Sequence, residues 1–165
     1  MAAPVPANEE ARLETLRKYQ ILDTAAEKVF DDITALVADV CQTPISFLSF
    51  VDRDRQWFKS NVGVPARETS RDIAFCAHAI MGDDLFVVPD TLADERFAKN
   101  PLVCNDPNIR FYAGMPLMTP EGHAIGTLCV IDRVPRELSQ QQKDKMRALA
   151  HSAMMLLEVR RAGLP

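Results

Sequence analysis

The chain has no apolar run long enough to cross a bilayer, no C-x-x-C pair, no Lys/Arg cluster, no internal repeat and no low-complexity tract. Each absence excludes something. A membrane-spanning helix needs about 20 mostly apolar residues, and Met1–Asn8 lacks the basic start and hydrophobic centre of a secretory signal. The chain is therefore expected to be soluble and cytoplasmic, without a membrane partner. The net charge of -4, with no basic patch, argues against a nucleic-acid surface. Four cysteines, Cys41, Cys76, Cys104 and Cys129, lie far apart and signal neither a structural zinc site nor a disulfide framework. No set of His and Cys converges on a metal. P-loop, G-x-S-x-G and H-E-x-x-H signatures are missing, as are paired glycines ahead of a helix. The adjacent pairs Asp31-Asp32 and Asp83-Asp84 read as solvated or capping charges, not as acid/base partners.

What is present is a globular composition, 47% hydrophobic and 25% charged over 165 residues, enough for one domain with a full core. Residues 1–7 are rich in Ala and Pro and read as a disordered start, with a single domain over 8–165. Asn8 can cap a first helix carrying Leu13 and Leu16. Thr24 to Glu27 has the form of a capping box, ahead of a helix with Phe30, Ile33, Val37 and Val40 on one face. Ile45–Val51 and Gln56–Val62 read as strands joined by the turn Asp52-Arg53-Asp54. Gly63–Asp72 is polar and broken by Pro and Gly. A short helix over Ile73–Met81 and a short strand over Leu85–Val88 follow. Ala93–Pro107 holds too many breakers for one element, but Phe97, Leu102 and Val103 would anchor it as a lid. Two apolar strands over 110–118 and 124–131 are closed by Pro120-Glu121-Gly122-His123. Ser139 to Gln142 forms a second capping box, and Met146, Leu149, Ala153, Leu156 and Arg160 mark one side of a long last helix. The expected fold is α+β: a central antiparallel sheet of about five to six strands, with the N- and C-terminal helices on one face. Short helices and lid loops cover the other face, over a cavity.

Five blocks occur in an order that resembles the GAF domain family, the sensing modules of phosphodiesterases and sensor kinases. They are LETLRKYQILDTAAEKVFDDI, SFVDRDRQWFKSNVG, ETSRDIAFCAHAI, VVPDTLADERFAKNPLV and RFYAGMPL with GTLCVID. The resemblance runs from about Leu13 to the last helix and points to a bacterial subgroup. Members of it sit ahead of histidine kinase, cyclase or phosphodiesterase output domains, as in two-component signalling. It implies a stand-alone or excised sensor, working as a homodimer, that binds an unknown small molecule between sheet and lid, with no cofactor assigned.

By that resemblance the pocket candidates are Trp57, Phe75, Cys76, His78, Asp90, Phe97, Arg110 and Tyr112: aromatic walls with polar groups to orient a ligand. The plainer reading makes Trp57, Phe75 and Phe97 ordinary core, and pairs Arg110 with Asp90, Asp94 or Asp106. The expectation taken forward is that His78, Asp90 and Arg110 enter one cavity walled by Trp57, Phe75 and Tyr112. Arg110, held by Asp90, would then bind an anionic group. Two alternatives stand beside the sensor. One is a thiol enzyme similar to free methionine-R-sulfoxide reductases, with Cys104 and Cys76 as its catalytic candidates, although Ala66–Ala74 lacks the second cysteine of that family. The other is a dimerisation scaffold with a collapsed pocket. The apolar faces of the first and last helices (Leu13, Leu16, Met146, Leu149, Ala153 and Leu156) are expected to pack side by side and extend into a parallel dimer interface.

Overall fold

The computed structural model of the protein describes residues 1–164. Its centre is a six-stranded antiparallel sheet in the order β3-β2-β1-β6-β5-β4. The strands are β1 (Ile45–Val51), β2 (Arg55–Val62), β3 (Glu68–Ser70), β4 (Phe86–Val88), β5 (Phe111–Met118) and β6 (Ala124–Asp132). All of β1 is buried, and so is β6 up to its final aspartate. Such near-continuous apolar strands need cover on both faces, and they have it. Helices α1 (Glu9–Lys18), α2 (Lys28–Cys41) and α5 (Gln140–Ala162) supply one side. There they bury Leu48, Phe50, Trp57, Phe111, Ala113 and Leu128. Short helices α3 (Phe75–Ala79) and α4 (Pro101–Cys104), with 3-10 turns at Arg71–Ile73 and Thr91–Ala93, make the lid. The lid covers Phe47, Val51, Phe58, Tyr112, Cys129 and Ile131. The expected α+β architecture is the observed one.

Three local expectations need correction. The Thr24–Glu27 capping box does not form: Glu27 itself occupies the cap position of α2 and makes no side-chain cap bond. Its groups are drawn instead to Lys59, whose ammonium is fully buried. That ammonium donates to Thr24 Oγ1 (2.9 Å), to the Ala25 carbonyl and to Glu27 Oε2 (2.6 Å). A buried charge demands such partners, and it outcompetes a helix cap. The polar stretch 63–72 contains a strand, β3, which pairs with β2 through Arg55, Gln56 and Trp57. Finally, Leu13, Leu16, Met146 and Ala153 lie in the protomer's own core, and α5 packs mainly on α2, not on α1. Their apolar character is spent inside the protomer.

Asn8 takes the cap position of α1 without a side-chain cap bond, whereas the second capping box and the hairpin turn form as read. Ser139 Oγ accepts from Gln142 N (3.1 Å), and Gln142 Oε1 accepts from Ser139 N (2.9 Å). Gly122 takes φ +86° in the β5–β6 turn. Residues 1–7 form neither helix nor strand, and the Met1 carbonyl lies 3.1 Å from His78 Nε2. The expected domain end at Pro165 lies outside the described residues. Among those residues, no helix is long and apolar enough to cross a membrane.

Candidate functional site

Strand parity decides which side chains meet under the lid. On β2, Gln56 and Phe58 face the lid, and Trp57 between them faces the helices, where it meets Phe50 at 6.5 Å between ring centres. Alternate residues of a strand point to opposite faces. Together with β1, β5 and β6, the lid-facing residues enclose a cavity of about 370 Å³. That lies toward the small end of ligand pockets, which run about 300–1,000 Å³.

The walls are mostly apolar. Phe47 and Phe58 stack at 4.2 Å with an interplanar angle of 11°, and Phe75, Tyr112 and Ile131 line other sides. The lid contributes Val64, Pro65, Ala66, Leu102 and Ile109. Cys76 forms part of the lining and sits in a knot of hydroxyl groups: Thr127 Oγ1 at 2.8 Å, Tyr112 Oη at 3.1 Å and Ser49 Oγ at 3.3 Å. Burial pushes its thiol up. Hydrogen bonds with Cys129, Ser49, Thr127 and Tyr112 more than offset that and leave it lowered. Burial raises Cys129 and Tyr112, the other two titratable groups there, well above their ordinary values.

Of the eight pocket candidates, Phe75, Cys76 and Tyr112 line the cavity. The others do not. Trp57 is on the far face of the sheet. Phe97 is fully buried behind Phe75, stacked on it at 4.2 Å. His78 sits edge-on to Phe97 at 4.7 Å, and burial lowers its pKa. Asp90 caps the 3-10 turn by accepting from Leu92 N at 3.1 Å. Arg110 donates to the carbonyls of Val103 (2.8 Å) and Ile109 (3.1 Å), tying the lid down, and makes no ion pair with Asp90 among the described residues. Its guanidinium is held by carbonyls at the lid's edge. Cys104 is exposed, 3.5 Å from the Ala98 carbonyl, and outside the lining.

Among the lining residues that were not candidates, two carry unpaired polar atoms. Gln56 and Thr69 both face the cavity, and Gln56 Oε1 and Thr69 Oγ1 are buried without a hydrogen-bond partner among the described residues. Gln56 gave little signal, since β2 also carries Arg55, Lys59, Ser60 and Asn61. Thr69 gave none, since β3 is invisible in a polar, Pro-broken segment.

A six-stranded antiparallel sheet with terminal helices behind it and a broken lid in front of it defines an architecture, and the sequence agrees with it. The model of the GAF domain family matches residues 25–157. The chain belongs to the GAF domain family. Over 133 residues this GAF domain is 45% identical to a cyclic di-GMP phosphodiesterase of Pseudomonas aeruginosa. The match covers 81% of the chain and 23% of that protein, so the chain spans about a quarter of the curated relative. Among solved structures, it resembles the GAF domain of a phosphoenolpyruvate-protein phosphotransferase from Acinetobacter. The TM-score is 0.66 at 17% identity, over 92% of this chain and 96% of that one. It also resembles the domain of a protein described as a two-component sensor histidine kinase from Sinorhizobium meliloti. There the TM-score is 0.65 at 13% identity, over 85% and 96% of the two chains. The relative carries its matching stretch inside a phosphodiesterase chain; the two solved structures share the fold.

Proposed function

We propose that this GAF domain is a sensory module that binds a small molecule in the cavity between sheet and lid. The observation that supports it is the 370 Å³ cavity itself, walled by the Phe47–Phe58 stack, Phe75 and Tyr112. A collapsed scaffold would fill such a space with side chains, since protein interiors pack close to crystal density. Ligand contacts with lid and sheet together would stabilise the closed lid, and the bound state would be selected through that difference. The Pseudomonas relative makes a phosphodiesterase a reasonable output partner, with a histidine kinase or cyclase as the others to consider. The cytoplasm is the compartment consistent with such partners.

The domain works as a homodimer in this reading. Val29 and Leu36 on α2 and Met155 and Val159 on α5 are exposed. They form the outward side of the two helices that pack on each other. This replaces the Leu13 and Leu16 face considered from sequence. Signal would pass along α5, whose end is bound to the N-terminal segment by Arg160 and Glu158.

Native mass spectrometry of the protein purified from its source tests the reading directly. The expected result is a bound small molecule that is lost when Tyr112 and Phe75 are replaced by alanine. A protein without ligand that also fails to bind any member of a metabolite library would overturn it.

A further inference from the structure

The two unpartnered oxygens of the cavity belong to one rung of the sheet. Gln56 on β2 is the register partner of Thr69 on β3. Residues directly opposite on an antiparallel pair project to the same face, with Cβ atoms about 4.5–5.5 Å apart. Gln56 is only 5% exposed. A buried carbonyl or hydroxyl oxygen without a partner opposes folding, yet this rung presents both to the cavity. Two residues further along the same face, Phe58 stacks on Phe47 and makes an apolar wall instead.

The remaining lining narrows the chemistry. No Lys, Arg or His is part of it among the described residues, and the one carboxylate, Asp106, is exposed. An anion would enter without a counter-charge, at a cost that buried charges rarely bear. A purely apolar occupant would leave both oxygens unpaired. A carboxamide side chain offers both donor and acceptor whichever way its amide is turned, and a threonine hydroxyl does the same.

We propose that the Gln56–Thr69 rung is the recognition edge of the cavity. Its ligand is neutral, with a flat apolar body for the aromatic walls and an edge that sets a hydrogen-bond donor beside an acceptor, as a carboxamide does. The Gln56 oxygen accepts from the ligand N–H, while the Thr69 hydroxyl pairs with the ligand oxygen. This rests on the reading that the cavity binds a small molecule, and it replaces the anionic ligand expected from Arg110.

The test titrates benzamide, benzoate and toluene into the isotope-labelled full chain and into Gln56→Leu and Thr69→Val, followed by amide NMR shifts, with Tm measured for each protein. The expected result is that benzamide shifts β2, β3 and residues 64–66 and binds about tenfold more tightly than benzoate. Each variant should weaken benzamide by about tenfold, the scale of one lost hydrogen bond, bind toluene at least as well, and melt no lower than the parent chain. Benzamide bound equally by the parent chain and Gln56→Leu, a preference for benzoate, or a Tm several degrees lower in both variants would overturn the recognition edge while leaving the cavity reading intact. If none of the three molecules shifts cavity residues in the parent chain, the cavity reading falls, and this inference falls with it.

Discussion

Glu9 holds two guanidinium groups at once. Its Oε1 lies 2.6 Å from Arg12 Nη2 and 2.7 Å from Arg71 Nη1. Arg12 is 1% exposed and donates to the Val51 carbonyl at 2.7 Å. Arg71 opens the 3-10 turn that leads into the lid. Burial raises the Glu9 carboxyl, but hydrogen bonds and charge from Arg71 and Arg12 outweigh it and bring the pKa from 4.5 to about 2. The folded value is the depressed one, so the unfolded chain binds the proton more readily. The stabilisation is complete above the unfolded value of 4.5 and is lost as pH falls from there toward 2. A contribution on the order of 2–3 kcal/mol follows. Urea unfolding across that range should show the loss. Glu9→Gln should be less stable by about 3 kcal/mol at neutral pH, since it strands the buried Arg12, and its stability should vary less with acid.

A second residue-scale prediction concerns Gly126, which pairs with Phe50 in the centre of the sheet. A Cβ there would lie 2.0 Å from the Ser49 carbonyl oxygen. Backbone cannot yield as a side-chain tip can, so Gly126→Ala should lower stability by about 3 kcal/mol in chemical denaturation. At this scale the sequence was informative where parity is simple. Arg110 and Tyr112 alternate against Phe111 and Ala113, which put Tyr112 under the lid. It could not reveal that the Val103 and Ile109 carbonyls would take the Arg110 guanidinium, because those acceptors come from a loop whose path is tertiary.

Among the elements, the two capping-box patterns make an instructive pair. Ser139–Gln142 forms its box, with the Gln142 amide nitrogen also donating to the Val40 carbonyl at 3.2 Å. Ser139→Ala should therefore cost about 1 kcal/mol, visible in thermal unfolding and in faster exchange of the first amides of α5. The Thr24–Glu27 pattern is equally good locally and fails, because Lys59 sits beneath it and Arg160 Nε reaches the same Glu27 carboxylate at 2.9 Å. Burial pushes the Glu27 carboxyl up, while its bonds to Lys59 and Arg160 bring it below its ordinary value. Lys59→Met removes one of these two cations and leaves Thr24 and Glu27 under-partnered. Hydrogen exchange should then quicken at residues 24–28 and at the last turn of α5, with the β5–β6 hairpin unaffected.

At the scale of the molecule, the sheet divides two cores of different character. The helical side is closed by long helices, whereas the lid side is built from short pieces around open space. The outward side of α2 and α5 carries Leu36 at 49% and Val159 at 68% exposure. If that surface joins two protomers, Leu36→Glu with Val159→Glu should convert the dimer to a monomer in sedimentation equilibrium, with circular dichroism unchanged. A parent chain that sediments as a monomer at micromolar concentration would remove the dimer from the proposed mechanism.

Sequence alone determined the long helices, the strands other than β3, the central β5–β6 hairpin and the division into helical and lid faces. These follow from periodicity, turn residues and apolar runs, all of which act between neighbours in the chain. Beyond Phe75, Cys76 and Tyr112, tertiary structure decided the contents of the cavity. Trp57 was lost to it and Gln56 gained because one residue of register reverses a strand's faces. Thr69 entered only because Glu68–Ser70, unremarkable by itself, found an open strand edge on β2 to pair with. Arg110, which the sequence paired with Asp90, Asp94 or Asp106, was claimed by carbonyls of a folded loop, and the buried Lys59 found acceptors 32–35 residues away in the chain. A buried charge takes whichever oxygens the fold brings nearest, and only the fold establishes which those are.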